Sequence, residues 1–267
     1  TASYQRALEL TDQPMLRSHF EGLIMRQKLL ASSTDEALVA ELRVKIDQLD
    51  GQAAAYPFVQ EYAVGLYGLG RIGEAIDAID RELENTSAGY VSEEREQLGL
   101  LKGIILGANS EIGRVALKTL ILNGQGRETM GIALQLLARV PNQDVDLLNF
   151  LKVVLSRNEP HLLQGQMYYL RSQLAMKMAQ QGSVEERMGL MAIAESDAGI
   201  LLDQFPGLSQ ITNVYRLLAY AALERQPAQY RAAADFLIQL RDQSPESKDF
   251  VEVNCLIGDC YFLNRDF

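Results

Sequence analysis

The sequence predicts an all-α protein, an α-solenoid of stacked antiparallel helix pairs with roughly 11–13 helices along residues 1–267. Three observations lead there. Ala, Leu, Gln and Glu are abundant, while Pro is limited to seven, Trp is absent and aromatics make up 7%, a mixture that favours helix. No run of four or more β-branched or aromatic residues stands between turn signals; the nearest are Ile104-Ile105 and Val153-Val154, so a sheet has nothing to be built from. Apolar stripes of helical period alternate with short loops throughout. A repeat array of this length needs no second core, because each unit packs only on its neighbours.

In chain order, residues 2–10 form the end of a helix with Tyr4 and Ala7 on one face, stopped by Thr11-Asp12-Gln13-Pro14. Leu16, Phe20, Leu23, Ile24 and Leu30 make the stripe of the second helix. Ser33 with Glu36 spells a capping box for the third, whose apolar face is Leu38, Leu42, Ile46 and Leu49 and whose stop is Asp50-Gly51.

The stretch from Tyr62 to Leu83 fits two incompatible pictures. Gly68, Gly70 and Gly73 have the spacing of a dinucleotide-binding turn, and Glu93 lies about 20 residues on, where such a fold places a ribose-binding acid. That turn must follow a buried strand in a parallel sheet, and the polar Gln60 and Glu61 continue a helix instead. The alternative is a helical hairpin that breaks at Gly70 and packs Ala75 and Ile79 back on Ala63 and Leu66. The hairpin is the expected form. Residues 106–114 look like the cofactor turn of short-chain dehydrogenases, yet none of the eleven Tyr has the Lys four residues later that this family carries; Tyr67 and Tyr261 have Arg71 and Arg265 there. Here a loop with Ser110 or Asn109 capping the next helix is expected.

Beyond the hairpin, Ser92 is expected to cap a helix with Leu98, Leu101 and Ile105 inward, followed by a partner over 111–122 that Gly124 and Gly126 break. Helices over 129–140 and 145–157 follow, punctuated by Pro141 and Pro160. A longer pair, 161–181 and 184–204, joins at Gly182-Ser183, where Ser183 and Glu186 spell a second capping box. Ile211, Val214, Leu218 and Ala221 face Tyr230, Ala233, Leu237 and Leu240 in the next pair, which Pro227 starts and Pro245 follows. The last stripe is Phe250, Val253, Ile257, Cys260 and Tyr261, ending at Arg265-Asp266-Phe267.

The net charge of −10 and pI near 4.8 argue against nucleic acid and anionic membranes and favour other proteins, a basic face among them, as partners. Cys255 and Cys260 would point about 140° apart on one helix, which a disulfide does not allow. No apolar run is long enough to cross a bilayer, so no direct membrane insertion is expected of this segment, and the residues do not choose between cytoplasm and periplasm. His19 and His161 stand apart with no ligand pattern around them, so neither a metal site nor a cofactor is expected. Glu93, Glu94 and Glu96, like Glu185 and Glu186, sit in first turns where they favour the helix dipole. Met167, Met176, Met178, Met188 and Met191 gather in one hairpin as core fillers.

The recurrence of helix, short turn, helix, small residue and closing Pro resembles tetratricopeptide repeats. The residues that carry the resemblance are Leu69-Gly70-Arg71-Ile72 with Glu74-Ala75-Ile76 and Ile79; Ile257-Gly258, Tyr261-Phe262 and Asp266-Phe267; Ala194, Ala198, Leu201 and Pro206; and Tyr4 with Ala7. Ala63, Gly258, Ala75 and Ala194 are the small residues that would let paired helices approach. Val59 and Asn254 stand where the family often has a large aromatic, Arg265 replaces a turn Gly, and 107–183 fits only as generic hairpins. Resemblance to this family implies a right-handed array and a non-catalytic scaffold or adaptor that binds partner proteins or peptides in a groove lined by each unit's first helix. It places Tyr62, Leu66, Asp259 and Tyr261 near that groove. Gln60, Val64, Cys255 and Asp259 stand where modules that clamp a chaperone's carboxylate tail use Lys, Arg and Asn, which argues against that subtype. Both ends fall inside a unit, so the chain is expected to be an internal window of a longer array. A structural subunit that self-stacks or packs laterally is the second reading, and an NAD(P)-binding oxidoreductase the third.

Overall fold

The computed structural model describes residues 2–32, 35–49, 51–86, 89–157, 159–243 and 248–265. Among the described residues stand fourteen α-helices and no strand, somewhat more than the roughly 11–13 expected; each apolar stripe is a helix of its own. The chain divides into two compact units, Thr1–Val140 and Pro141–Phe267. Ser33, Asp50, Pro245, Asp266 and Phe267 lie outside the described residues.

The first unit contains α1 (Ala2–Glu9), α2 (Pro14–Ala31), α3 (Glu36–Gln48), a short 3-10 turn (Ala53–Ala55), α4 (Tyr56–Gly68), α5 (Ile72–Glu84), α6 (Ser92–Leu106), α7 (Glu111–Asn123) and α8 (Arg127–Ala138). Each helix packs on the next, and α2, α4, α6 and α8 also pack on one another in succession. Helices of even number therefore share one side of the unit.

The α4–α5 hairpin follows directly from its glycine. Gly70 adopts φ +74°, a left-handed conformation that costs a side-chain-bearing residue about 1–2 kcal/mol. The Gly70 N–H donates to the Tyr67 carbonyl at 2.9 Å and the Arg71 N–H to the Leu66 carbonyl at 2.9 Å, which satisfies two helix-end carbonyls and reverses the chain. Across the turn Ala63, Leu66, Ala75 and Ile79 are completely buried together. The glycine spacing that suggested a nucleotide turn thus belongs to a helical hairpin with no strand beside it.

Three expectations for this unit are corrected. The buried face of α2 is Ser18, Gly22, Met25 and Leu29, about 160° around from Leu16, Phe20 and Leu23; Leu16 and Leu30 are exposed. The reason is close approach: a Cβ on Gly22 would lie 2.6 Å from the Pro57 Cβ, so α2 meets the start of α4 through its small residues. Asp35 caps α3, accepting from the Leu38 N–H at 3.1 Å. Ser92 is the first helical residue of α6 rather than its cap, and Glu94 turns back to accept from the Val91 N–H at 3.0 Å. Ser110 caps α7 as expected, accepting from Gly113 at 2.9 Å.

The second unit contains α9 (Asp144–Leu155), α10 (Gln164–Gln181), α11 (Val184–Gln204), α12 (Ile211–Glu224), α13 (Tyr230–Gln243) and α14 (Phe250–Asn264). Each packs on the next, and α10 also touches α12. The Ser183–Glu186 capping box forms as expected, with the Ser183 N–H donating to Glu186 at 3.0 Å. Between α10 and α11 the fully buried Asp197 accepts two bonds from Arg171, at 2.6 and 2.7 Å. Met167 and Met191 are core, whereas Met188 is exposed. Pro227 follows a cis peptide bond in the α12–α13 loop and α13 begins at Tyr230, so Pro227 does not start that helix. Ala194 packs in the core, but Gly258 is exposed with open space beside it and draws no helix close. Cys255 is exposed and Cys260 buried, both as free thiols.

Candidate functional site

The shared side of the even-numbered helices in the first unit holds a cavity of about 860 Å³. Arg26 of α2, Gln60 of α4, Glu93, Gln97, Leu101 and Ile104 of α6, Gln125 of the α7–α8 turn and Arg127, Glu128 and Ile132 of α8 line it. Polar groups lie toward the helix starts, with Glu93 and Glu128 in first turns. Ile104 and Ile132, farther along α6 and α8, remain 45% and 38% exposed. The cavity therefore has a charged and amide-bearing edge beside an aliphatic one.

Its floor is fixed by Glu96. This carboxylate is buried, and it accepts from the Gln125 N–H at 2.7 Å and the Gly126 N–H at 2.8 Å. One side chain of α6 thereby holds the turn that launches α8. A Cβ on Gly126 would lie 2.7 Å from Glu96 Oε2, so a side chain there would displace the carboxylate.

Two more polar contacts tie the wall together. Arg26 Nε donates to the buried Glu61 at 2.8 Å; burial pushes the Glu61 carboxyl above its ordinary range, and Arg26 opposes that rise. Tyr56 donates its hydroxyl proton to the Gln97 side-chain oxygen. Burial and the nearby Glu94 push the Tyr56 phenol up to about 12.

Electrostatically the cavity is acidic. Glu93, Glu96 and Glu128 line it against Arg26 and Arg127, and the Arg26 guanidinium is already held by Glu61. No group of acidic, His and Cys side chains able to hold a metal ion occurs among the described residues. No described helix is long and apolar enough to cross a membrane. The lining offers cation-binding carboxylates, amides that can pair with a peptide backbone and an aliphatic strip.

The four residues named from the sequence are distributed differently. Leu66 is completely buried in the core of the first unit, and Tyr62 is half-buried against the same core. Neither lines the cavity. The α4 side chains that face outward on this side are Gln60, in the cavity, and Val64, in an adjoining recess of about 240 Å³ that shares Arg26. Leu66 lies about 200° around the helix from Val64 and so turns into the core. In the second unit Asp259 is exposed on α14 and Tyr261 is half-buried against the α12–α14 core, with the Arg231 guanidinium 5.3 Å from its ring centre.

Sequence reasoning missed Glu96 and Gln125. Glu96 stands in a run of first-turn acids where each looks like a helix-dipole contact; the signal that separates it is Gly124-Gln125-Gly126 almost thirty residues on, a turn whose N–H groups need an acceptor. Comparison with known proteins finds no family model, no curated protein and no solved structure that matches the chain.

Proposed function

We propose that this chain is a non-catalytic interaction scaffold whose first unit binds a partner protein or peptide in the cavity across α4, α6 and α8. The observation that carries this is the pairing of an open 860 Å³ cavity with exposed Ile104 and Ile132 beside carboxylates and amides. Exposed aliphatics rimmed by polar groups are what an interaction surface presents. The lining contains no His; its hydroxyls are Ser92 and Thr129, and the carboxylate that Ser92 contacts at 3.4 Å, Glu96, is already engaged by the Gln125 and Gly126 N–H groups rather than free to act as a base. The repeat-like residues around Gly70 support the same reading, since arrays of this type present one helix of each pair to a ligand.

The test is affinity capture from a cell lysate with the chain and with Ile104→Asp/Ile132→Asp, followed by direct titration of the purified captured protein. Saturable binding that the double variant loses supports the proposal. Equal capture by both, or no saturable binding once purified, ends it.

A second reading, a structural subunit that packs on further copies or on a larger assembly, is favoured by α14, where Val251 and Phe262 are 72% and 66% exposed. Light scattering that shows a mass rising with concentration would support it; a constant monomer mass would remove it.

A further inference from the structure

We infer that the segment taken by the first unit's cavity is an extended peptide carrying Lys or Arg beside aliphatic residues at about every third position; this rests on the cavity being the binding face.

The spacing comes from the helices. Ile104 and Ile132 belong to α6 and α8, which pack directly on one another, so their axes lie about 8–10 Å apart. A polyproline-II segment has three residues per turn and advances about 3.1 Å per residue, so side chains three apart lie on one face and about 9 Å apart. A segment crossing the helices therefore sets one aliphatic side chain against each.

The charge comes from the rim. Glu93 and Glu128 are exposed, on the same cavity as those aliphatics and at the starts of the same two helices. Glu96 adds a third negative charge below them, and since Arg26 is occupied by Glu61, the three carboxylates face Arg127 as the lining's other cation and keep the rim acidic. Glu128 stands one turn, about 6 Å, along α8 from Ile132, within reach of a long side chain of that segment, and Glu93, about 16 Å along α6 from Ile104, is passed where the segment continues toward the helix starts. There a cation gains charge-assisted hydrogen bonds, and an acid meets like charge. The Gln60 and Gln125 amides are placed on the same cavity to pair with the peptide backbone.

The experiment is a fluorescence-anisotropy titration of the full chain with three labelled nonapeptides. Each has Leu at every third position and Ser elsewhere, with Lys, Gln or Glu following each Leu. The Lys peptide is expected to bind about tenfold tighter than the Glu peptide. Glu93→Gln/Glu128→Gln should lose about tenfold for the Lys peptide. Asp77→Asn/Glu84→Gln, an equal change of charge on α5, should leave it within about twofold. Equal loss with the α5 pair would reduce the effect to attraction by an acidic chain and overturn the inference. If the Gln or Glu peptide binds as well as the Lys peptide and Ile132→Asp abolishes that binding, the basic chemistry is wrong while the binding face stands. No binding of any peptide, or binding that ignores Ile132→Asp in a variant with unchanged circular dichroism, overturns both.

Discussion

Glu96 Oε2 accepts a hydrogen bond from the Gly126 N–H at 2.8 Å, thirty residues away along the chain, and leaves no room for a Cβ on that glycine. The pair joins two successive hairpins through one buried carboxylate. Glu96→Ala strands the Gln125 and Gly126 N–H groups, at a cost of about 1–3 kcal/mol. Gly126→Ala pushes the carboxylate away and should cost a similar amount. Since both act on one contact, the double variant should be clearly less destabilised than the sum. Urea unfolding of the four proteins measures the coupling, and strict additivity would dissociate the two residues.

Gly22 and Gly73 should respond to Ala with opposite signs. A Cβ at Gly22 meets Pro57 at 2.6 Å, whereas one at Gly73, inside α5, meets nothing within 4 Å. Gly22→Ala should destabilise by about 1–3 kcal/mol through overpacking, less the helix gain. Gly73→Ala should stabilise by about 0.4–1 kcal/mol. Thermal melts of both variants check the contrast.

The Arg171–Asp197 pair is a test of what a buried charge contributes. Burial pushes the Asp197 carboxyl above its ordinary range, and the bonds from Arg171 only partly oppose this, while the same bonds hold Arg171 protonated. Desolvation of the acid is therefore the stronger effect. Arg171→Met alone should cost about 3–5 kcal/mol by leaving a buried acid unpaired. Adding Asp197→Leu should restore most of that loss, read from the denaturation midpoint at constant slope.

Much of the fold was legible in local chemistry. Gly70 marked its hairpin because left-handed backbone at a helix end is nearly a glycine property, and Ser110 and Ser183 marked helix starts because their hydroxyls reach N–H groups three residues on. What resisted was rotation about a helix axis. The buried face of α2 runs through Ser18 and Gly22, which no hydrophobicity pattern selects, and the open side of α4 is Gln60 and Val64 rather than Tyr62 and Leu66. Both depend on which neighbour a helix meets, and that is settled by contacts remote in sequence. Glu96 was hidden for the same reason.

Tyr56 predicts an alkaline signature. Its phenol rises from 10.0 to about 12 on folding, chiefly through burial. The folded state thus holds this proton more firmly than the unfolded one, so the contribution is complete below pH 10 and lost as pH rises through about 12. Tyr56→Phe removes both the phenol and its bond to Gln97. Stability of the wild type should fall toward that of the variant between pH 10 and 12; a constant gap across that window would contradict the assignment.

The binding face itself is open to one direct observation. Isoleucine-methyl NMR of the chain, titrated with a purified captured partner, should shift the signals of Ile104 and Ile132 and leave Ile112, which is 67% exposed on α7 and outside the cavity, in place. Shifts confined to Ile112 or to the second unit, with Ile104 and Ile132 unmoved at saturation, would contradict the proposed site.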